Sequence, residues 1–163
     1  MSLVAIDGPA GAGKTTLAAK FYEEFCNDKT VSVIHMDDLY NGWDNALSEP
    51  LTQKLKVITE AFLAHEVFQV EVFNWVTMKF DAIQKYEPVD ILILEGVGAA
   101  QKIVRDAGAI TYWLDVEPSI GLDRVLQRDG FDMRARMLKW QIDQERHFER
   151  DLTRLKAHHI VTS

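Results

Sequence analysis

The sequence has little of what secreted, membrane-spanning or nucleic-acid-binding proteins require. Its single cysteine, Cys26, has no internal disulfide partner, which favours a reducing, cytoplasmic setting. The longest apolar runs span only a few residues, such as 91–94, so we expect no membrane-spanning segment. The N-terminus lacks the pattern of a secretory signal. A net charge of −7 without a long basic run argues against a nucleic-acid partner.

What the sequence does contain is typical of one globular domain. Its 163 residues are 47% hydrophobic and 26% charged, and they include no repeat, no low-complexity tract and no linker. We therefore predict a single domain over residues 1–163. Short apolar runs alternate with helical patterns, which predicts an α/β fold with a parallel sheet wrapped by helices. The predicted strands are 3–7, 31–36, 67–73, 91–95, 110–116 and 159–162, and the predicted helices are 14–26, 51–64, 99–106, 119–128 and 133–155.

One glycine-rich stretch carries the clearest functional signal. Residues 8–15 read GPAGAGKT, which is the G-x-x-x-x-G-K-[ST] pattern, and they lie between a predicted strand and a predicted helix. In that context, successive backbone N–H groups and the helix N-terminus form a site for phosphate, Lys14 reaches the β- and γ-phosphates, and the Thr15 hydroxyl ligates Mg²⁺. The residues predicted to bind ATP here are Gly8, Ala10, Gly11, Ala12, Gly13, Lys14, Thr15 and Thr16.

Two acidic positions follow other predicted strands. Ligands of open α/β sheets bind beyond the carboxyl ends of the strands, which directs attention to Asp7 and to residues 35–40, 95–98 and 115–118. Asp37 is the candidate general base that would accept the proton of an acceptor hydroxyl, although an acid at a strand end is also a common turn residue. Glu95 ends an apolar strand and is the candidate partner of Thr15 in holding Mg²⁺.

The motifs occur in a familiar order. GPAGAGKTT, MDDLY and DILILEG, followed by a helix with Arg124 and Arg128, resemble the uridine-kinase-like branch of the P-loop small-molecule kinases. The resemblance implies the three-layer αβα sandwich of the P-loop NTPases, with five parallel strands in the order 2-3-1-4-5. It implies that Asp37 is the general base and that Glu95 is the Mg²⁺ partner. It also implies that Arg124 and Arg128 contact ATP phosphates, while a solvated helix face is the alternative for these arginines.

The acceptor side departs from that pattern. The resemblance leads us to expect an acid near residues 72–75, where this chain has Asn74, and the lid segment at about 129–136 is short. About fifty residues separate Asp38 from Asp90, so we place an acceptor-pocket insertion at about 40–88. Aromatic residues there could form a wall for the acceptor, although aromatics more often belong to a core. The predicted substrate-binding residues are Asp38, Tyr40, Trp43, Asn74 and Trp75.

The sequence thus predicts an ATP- and Mg²⁺-dependent phosphotransferase that acts on a hydroxyl of a small metabolite, with a nucleoside as the leading acceptor. Lys14, Asp37 and Arg128 are its predicted catalytic residues. A nucleoside monophosphate kinase of the cytidylate type is one alternative, but it needs arginines for an acceptor phosphate, and none lies between Asp37 and Asp90. A nucleotide-gated regulatory ATPase without an acceptor is the other. The sequence leaves open the oligomeric state, including a homo-oligomer.

Overall fold

The computed structural model describes residues 1–162, which form seven strands and five helices. The strands are β1 (Ser2–Asp7), β2 (Val31–His35), β3 (Phe68–Asn74), β4 (Lys79–Tyr86), β5 (Ile91–Glu95), β6 (Ile110–Asp115) and β7 (His159–Thr162). The helices are α1 (Lys14–Phe25), α2 (Glu49–Leu63), α3 (Lys102–Asp106), α4 (Pro118–Asp129) and α5 (Arg134–Asp151). Short 3₁₀ turns occupy Met36–Asp38 and Phe131–Met133. None of the helices in this part of the chain is long and apolar enough to cross a membrane.

Five strands form one parallel sheet in the order β2-β5-β1-β6-β7. Counted along this sheet alone, the order is 2-3-1-4-5, so the predicted P-loop arrangement is confirmed. The remaining two strands, β3 and β4, form a separate antiparallel hairpin. The segment 67–73 was expected as a strand and belongs to this hairpin, whereas its partner β4 was not predicted.

The core lies on both faces of the sheet because side chains alternate along each buried strand. On β5, Ile91 and Ile93 belong to the apolar cluster that packs against α1, through Ala18 and Phe21. Leu92 and Leu94 point to the opposite face, where the larger cluster takes its residues from α2, α3, α4 and α5. The glycine-rich loop of residues 8–15 (the phosphate loop) and the ends of β2 and β5 therefore emerge at one edge between two packed layers.

Two helices are clearly shorter than predicted. Helix α5 was expected over 133–155, but it ends at Asp151 because Leu152 adopts a left-handed backbone with φ of 57°. The expected packing stripe is buried at Met137, Trp140 and Phe148, whereas Leu152 and Leu155 are 47% and 75% exposed and lie beyond the helix. The helix expected over 99–106 covers only Lys102–Asp106.

Candidate active site

The glycine-rich loop joins β1 to α1 and curls around the helix N-terminus. Gly11 has φ of +80°, and a Cβ at this position would lie 2.3 Å from the carbonyl oxygen of Gly121 in α4. Only glycine permits both this backbone conformation and this close approach. The loop is thus held against α4 by backbone contact, with Arg124 Nη1 donating to the Gly11 carbonyl oxygen at 3.2 Å. This geometry fits a cradle for phosphate groups.

Lys14 folds back over the loop. Its Nζ donates to the carbonyl oxygens of Gly8 and Pro9 at 2.8 and 2.7 Å, and the residue is only 8% exposed. Burial lowers the pKa of this ammonium group, while the negative charges of Asp7, Glu95 and Asp37 oppose that shift. A buried cation held by carbonyl oxygens beside the loop amides is well placed to meet an anionic ligand.

Thr15 and Glu95 meet at the end of β5. Thr15 Oγ1 donates to Glu95 Oε1 at 3.2 Å, and the same carboxylate oxygen forms an ion pair with Nδ1 of His35, the last residue of β2. The interaction with Glu95 raises the pKa of the His35 imidazole. Hydroxyl and carboxylate oxygens are the ligands that Mg²⁺ prefers, and such a site normally takes one or two protein ligands together with phosphate oxygens. The pair therefore fits the predicted Mg²⁺ position.

A cluster of three or more His, Cys, Asp or Glu side chains able to hold a metal by themselves does not occur within residues 1–162.

Asp37 lies in the 3₁₀ turn that follows β2 and lines the same cavity as Lys14 and Glu95. Reduced hydration raises the pKa of its carboxyl group, the negative charge of Glu95 raises it further, and Lys14 and Arg128 counteract the shift. A raised pKa makes a carboxylate a better proton acceptor near neutral pH. Its neighbour Asp38 does not line the cavity and is half-buried, with a pKa that restricted hydration also raises.

The cavity at this edge of the sheet has a volume of about 600 Å³. Its wall includes the loop and the arginines of α4 at one end, and a group of aromatic residues at the other. Most of the predicted site residues line it, namely Ala10, Gly11, Gly13, Lys14, Thr15, Thr16, Asp37, Tyr40, Trp43, Trp75, Glu95, Arg124 and Arg128. Gly8, Ala12, Asp38 and Asn74 do not. The sequence therefore located the cavity, but four of the expected contacts lie outside it.

Asn74 serves the hairpin and not the cavity wall. Its Oδ1 accepts hydrogen bonds from the backbone amides of Val76 and Thr77 at 2.9 and 3.1 Å, and its Nδ2 donates to Asp81 at 2.9 Å. These bonds shape the turn between β3 and β4. The expected contact between Asn74 and a substrate therefore finds no support in its position.

The arginines of α4 lie on the phosphate side of the cavity. Arg128 pairs with its neighbour Asp129 through bonds of 2.7 and 2.8 Å, and Arg124 reaches the loop at Gly11. The hydrogen bonds that Arg128 donates to Asp129, together with the negative charges of Asp129, Asp37 and Glu95, keep the pKa of Arg128 above its usual value. Both arginines are exposed and line the same wall, as their i, i+4 spacing on one helix predicts.

Two further residues fix the loop, and neither was assigned a role from the sequence. The first is Asp7, which is fully buried and accepts backbone hydrogen bonds from Gly8, Gly98 and Ala100 at 2.7, 3.0 and 2.8 Å. Asp7 thus ties the start of the phosphate loop to the segment that follows Glu95. Burial raises the pKa of this carboxyl group to about 6, against the opposing effect of the three amides and Lys14. Its position at the end of a strand indicates in the sequence that it lies near the ligand edge of the sheet, but nothing nearby in the sequence reveals its hydrogen-bond partners.

The second is Gln144 of α5, whose Oε1 accepts the amide hydrogen of Ala10 at 3.0 Å. Because the two residues are 134 positions apart, no local pattern could have indicated this contact. The helix that follows the predicted lid segment is therefore bonded directly to the phosphate loop.

Comparison with known proteins also indicates a kinase fold. No protein-family model matches the chain. The uridine kinase of Limosilactobacillus reuteri is 24% identical over 142 residues, which cover 78% of this chain and 64% of that protein. A protein described as a possible uridine kinase from Bacillus stearothermophilus has a similar structure, with a TM-score of 0.70 at 17% identity over 98% of this chain and 88% of that one. This chain has the fold of the P-loop kinases and is similar in sequence to uridine kinases.

The fold is shared with kinases of other substrates. Shikimate kinase from Bacteroides thetaiotaomicron has a similar structure, with a TM-score of 0.53 at 17% identity over 98% of this chain and 84% of the other. The chain also spans only about 64% of the length of the first curated relative. Similarity therefore identifies the architecture, while the acceptor has to be argued from the site itself.

Proposed function

We propose that this protein is an ATP- and Mg²⁺-dependent phosphotransferase that phosphorylates a hydroxyl group of a small metabolite, with a nucleoside as the leading acceptor. The support comes from one cavity that joins a phosphate cradle to an aromatic wall, with a carboxylate between them. Similarity in sequence to uridine kinases and in fold to P-loop kinases agrees with this class of reaction.

The position of Asp37 is the observation that carries the proposal. Its carboxylate is close enough to Lys14, Glu95 and Arg128 for their charges to shift its pKa. Its backbone carbonyl accepts a hydrogen bond from Trp75 Nε1 at 3.0 Å. Asp37 thus stands at the junction of the phosphate end and the aromatic end. A carboxylate at this junction can hold an acceptor hydroxyl against the terminal phosphate of ATP.

Each side chain then has a defined role. Lys14 and the loop amides would bind the phosphates, and Arg124 and Arg128 would neutralise charge on the transferred group. Thr15 and Glu95 would hold Mg²⁺, which supplies further neutralisation of the phosphate oxygens when it is bound. Asp37 would orient the acceptor hydroxyl and take its proton as the new oxygen–phosphorus bond forms and ADP departs. Positioning and charge would provide most of the rate, and the base about 10²–10⁴-fold.

The acceptor side of the cavity favours a hydroxyl acceptor over a phosphorylated one. Asp37 and Glu95 place negative charge beside the acceptor position, and within residues 1–162 the arginines that line this cavity are the two of α4. A second phosphate would therefore meet carboxylates without a cationic clamp of its own. This arrangement disfavours a nucleoside monophosphate kinase.

A coupled assay of ADP release tests the proposal. Purified protein with ATP and Mg²⁺ is supplied in turn with uridine, cytidine, CMP, simple sugars and other small alcohols. We expect release to be stimulated by at least one unphosphorylated alcohol. Stimulation by CMP alone would favour the monophosphate kinase instead. ATP binding with slow hydrolysis that no acceptor accelerates would favour the regulatory ATPase.

A further inference from the structure

Four aromatic residues, Tyr40, Trp43, Trp75 and Trp140, form the aromatic wall at the end of the cavity where we place the acceptor. We propose that, within the function proposed above, the acceptor is an alcohol on a planar aromatic ring system that is recognised by stacking against tryptophan side chains, and that the vicinal hydroxyls of a sugar contribute little to its binding. For a nucleoside, this means that the protein recognises the base and makes little contact with the ribose diol.

The aromatic wall is extensive and held in place by its own contacts. Trp43 packs against Trp75 and Trp140, with ring centroids 5.1 and 5.8 Å apart, and Trp140 also contacts Tyr40 at 5.6 Å. Trp75 is supported from behind by Phe73 at 4.9 Å. Rings that brace one another in tilted and edge-on contacts form a rigid surface, on which an aromatic ligand can stack with little loss of side-chain entropy.

Two polar atoms of this wall are engaged within the protein. The Tyr40 hydroxyl is buried and donates to the Val97 carbonyl oxygen at 2.6 Å, and Trp75 Nε1 donates to the carbonyl oxygen of Asp37. Asn74, the nearest amide on the hairpin, is committed to the turn. Within residues 1–162, Asp37 is the one carboxylate lining the cavity beside these aromatics that has no ion pair with a neighbouring side chain. A vicinal diol needs more anchoring oxygens than one catalytic carboxylate provides.

Charge also restricts what can enter. Asp37 and Glu95 line the cavity, and Asp38 lies in the same 3₁₀ turn. The guanidinium of Arg136 stands over the outside of the Trp43 ring, 5.4 Å from its centroid, and lines a separate recess with Asp44 and Lys139. An uncharged aromatic body therefore fits this end better than a carboxylate or a phosphate ester.

Substrate analogues test the inference directly. Uridine, 2′-deoxyuridine and methyl β-ribofuranoside share the primary hydroxyl, but the second lacks one hydroxyl of the diol and the third lacks the base. We expect kcat/KM for 2′-deoxyuridine to stay within about 3-fold of uridine, because a site built to hydrogen-bond that hydroxyl would instead reject it by orders of magnitude. We expect the riboside to be about 100-fold worse than uridine, through loss of stacking.

Two variants of Trp75 distinguish the contribution of aromatic stacking from that of side-chain size. Trp75→Phe and Trp75→Leu both remove the indole N–H that bonds Asp37, but only phenylalanine keeps an aromatic plane. We expect KM for uridine to rise by about 5- to 150-fold more in Trp75→Leu than in Trp75→Phe, with a smaller difference in kcat. Val76→Ala, at a neighbouring side chain that is 93% exposed, is the control and should match the wild type.

The outcomes distinguish this inference from the proposed function. Phosphorylation of uridine with loss of activity on 2′-deoxyuridine, or equal KM values in the two Trp75 variants, would overturn aromatic recognition and leave the phosphotransferase intact. Efficient phosphorylation of the riboside would do the same. If no alcohol is phosphorylated although ATP binds, the proposed function fails and this inference fails with it.

Discussion

The close contact between Gly11 and α4 can be tested by comparing the stability of Gly11→Ala with that of a matched glycine-to-alanine variant. Gly11 and Gly108 have nearly the same backbone φ, +80° and +85°. A Cβ at Gly11 would lie 2.3 Å from the Gly121 carbonyl oxygen, whereas a Cβ at Gly108 has nothing within 4 Å. Gly11→Ala and Gly108→Ala therefore both place a side chain at a positive φ, and they differ in one steric collision.

The expected magnitudes follow from these two terms. Placing an alanine in a left-handed backbone costs about 1–2 kcal/mol, which should apply to both variants. Inserting a methyl group into a packed contact costs about 1–3 kcal/mol more, which should apply to Gly11→Ala alone. For a domain of this size, 1 kcal/mol shifts the melting temperature by about 2–4 °C. Gly11→Ala should therefore melt about 2–12 °C below Gly108→Ala.

Urea unfolding and thermal melting of both variants without nucleotide would measure this difference. Melting with added ATP then tests the site. We expect ATP to raise the melting temperature of Gly108→Ala as it does for the wild type, and to raise that of Gly11→Ala much less, because the displaced loop loses its amide cradle. Equal stability of the two variants would show that the loop does not pack on α4 as described. An unchanged response to ATP in Gly11→Ala would refute the assignment of the cradle.

Two other predictions concern the residues that anchor the loop. Because the pKa of Asp7 in the folded protein, about 6, lies above its unfolded value, its contribution to stability is complete below about pH 4 and is lost as pH rises through 6. The free energy of unfolding of the wild type should thus fall by about 2–3 kcal/mol relative to Asp7→Asn between pH 4 and 7, and parallel curves in urea titrations would contradict this. Gln144→Leu leaves the Ala10 amide without its acceptor and should lose about 1–3 kcal/mol of unfolding free energy. Gln144→Glu keeps an acceptor oxygen, so it should lose less stability than Gln144→Leu. It should bind ATP more weakly than the wild type in calorimetry, because its negative charge lies beside the loop that would hold the phosphates. A larger loss of stability in Gln144→Glu than in Gln144→Leu would refute this role for Gln144.

The parallel sheet could be predicted because its strands carry local signals. Buried runs such as residues 91–94 are apolar throughout, and the glycine-rich loop marks the first crossover. Strand β4 carries no such signal because most of its residues are exposed. It is a strand because of contacts across the hairpin, where Phe68 stacks on Tyr86 at 5.1 Å and Phe73 meets Phe80 at 5.2 Å. Pairing of this kind depends on tertiary structure, which local propensity does not report.

The candidate site also contains residues with a local sequence signal and residues without one. The loop, Asp37 and Glu95 were identifiable because their residue types follow recognisable elements at strand ends. Asp7 and Gln144 gain their roles from amides that are up to 134 residues away, so only the folded chain reveals them. Asn74 illustrates the opposite case. Its position in the sequence suggested a substrate contact, but the tight turn after β3 uses both ends of its amide.

Phosphate transfer by Asp37→Asn measures most directly whether Asp37 acts as the general base. Mass spectrometry of the acceptor, in single-turnover reactions with ATP, Mg²⁺ and the best alcohol from the acceptor screen, reports the chemical step alone. We predict that the variant binds ATP as the wild type does and forms phosphorylated acceptor about 10²–10⁴-fold more slowly. Transfer at the wild-type rate would show that Asp37 has no part in the reaction and would refute its role as the general base.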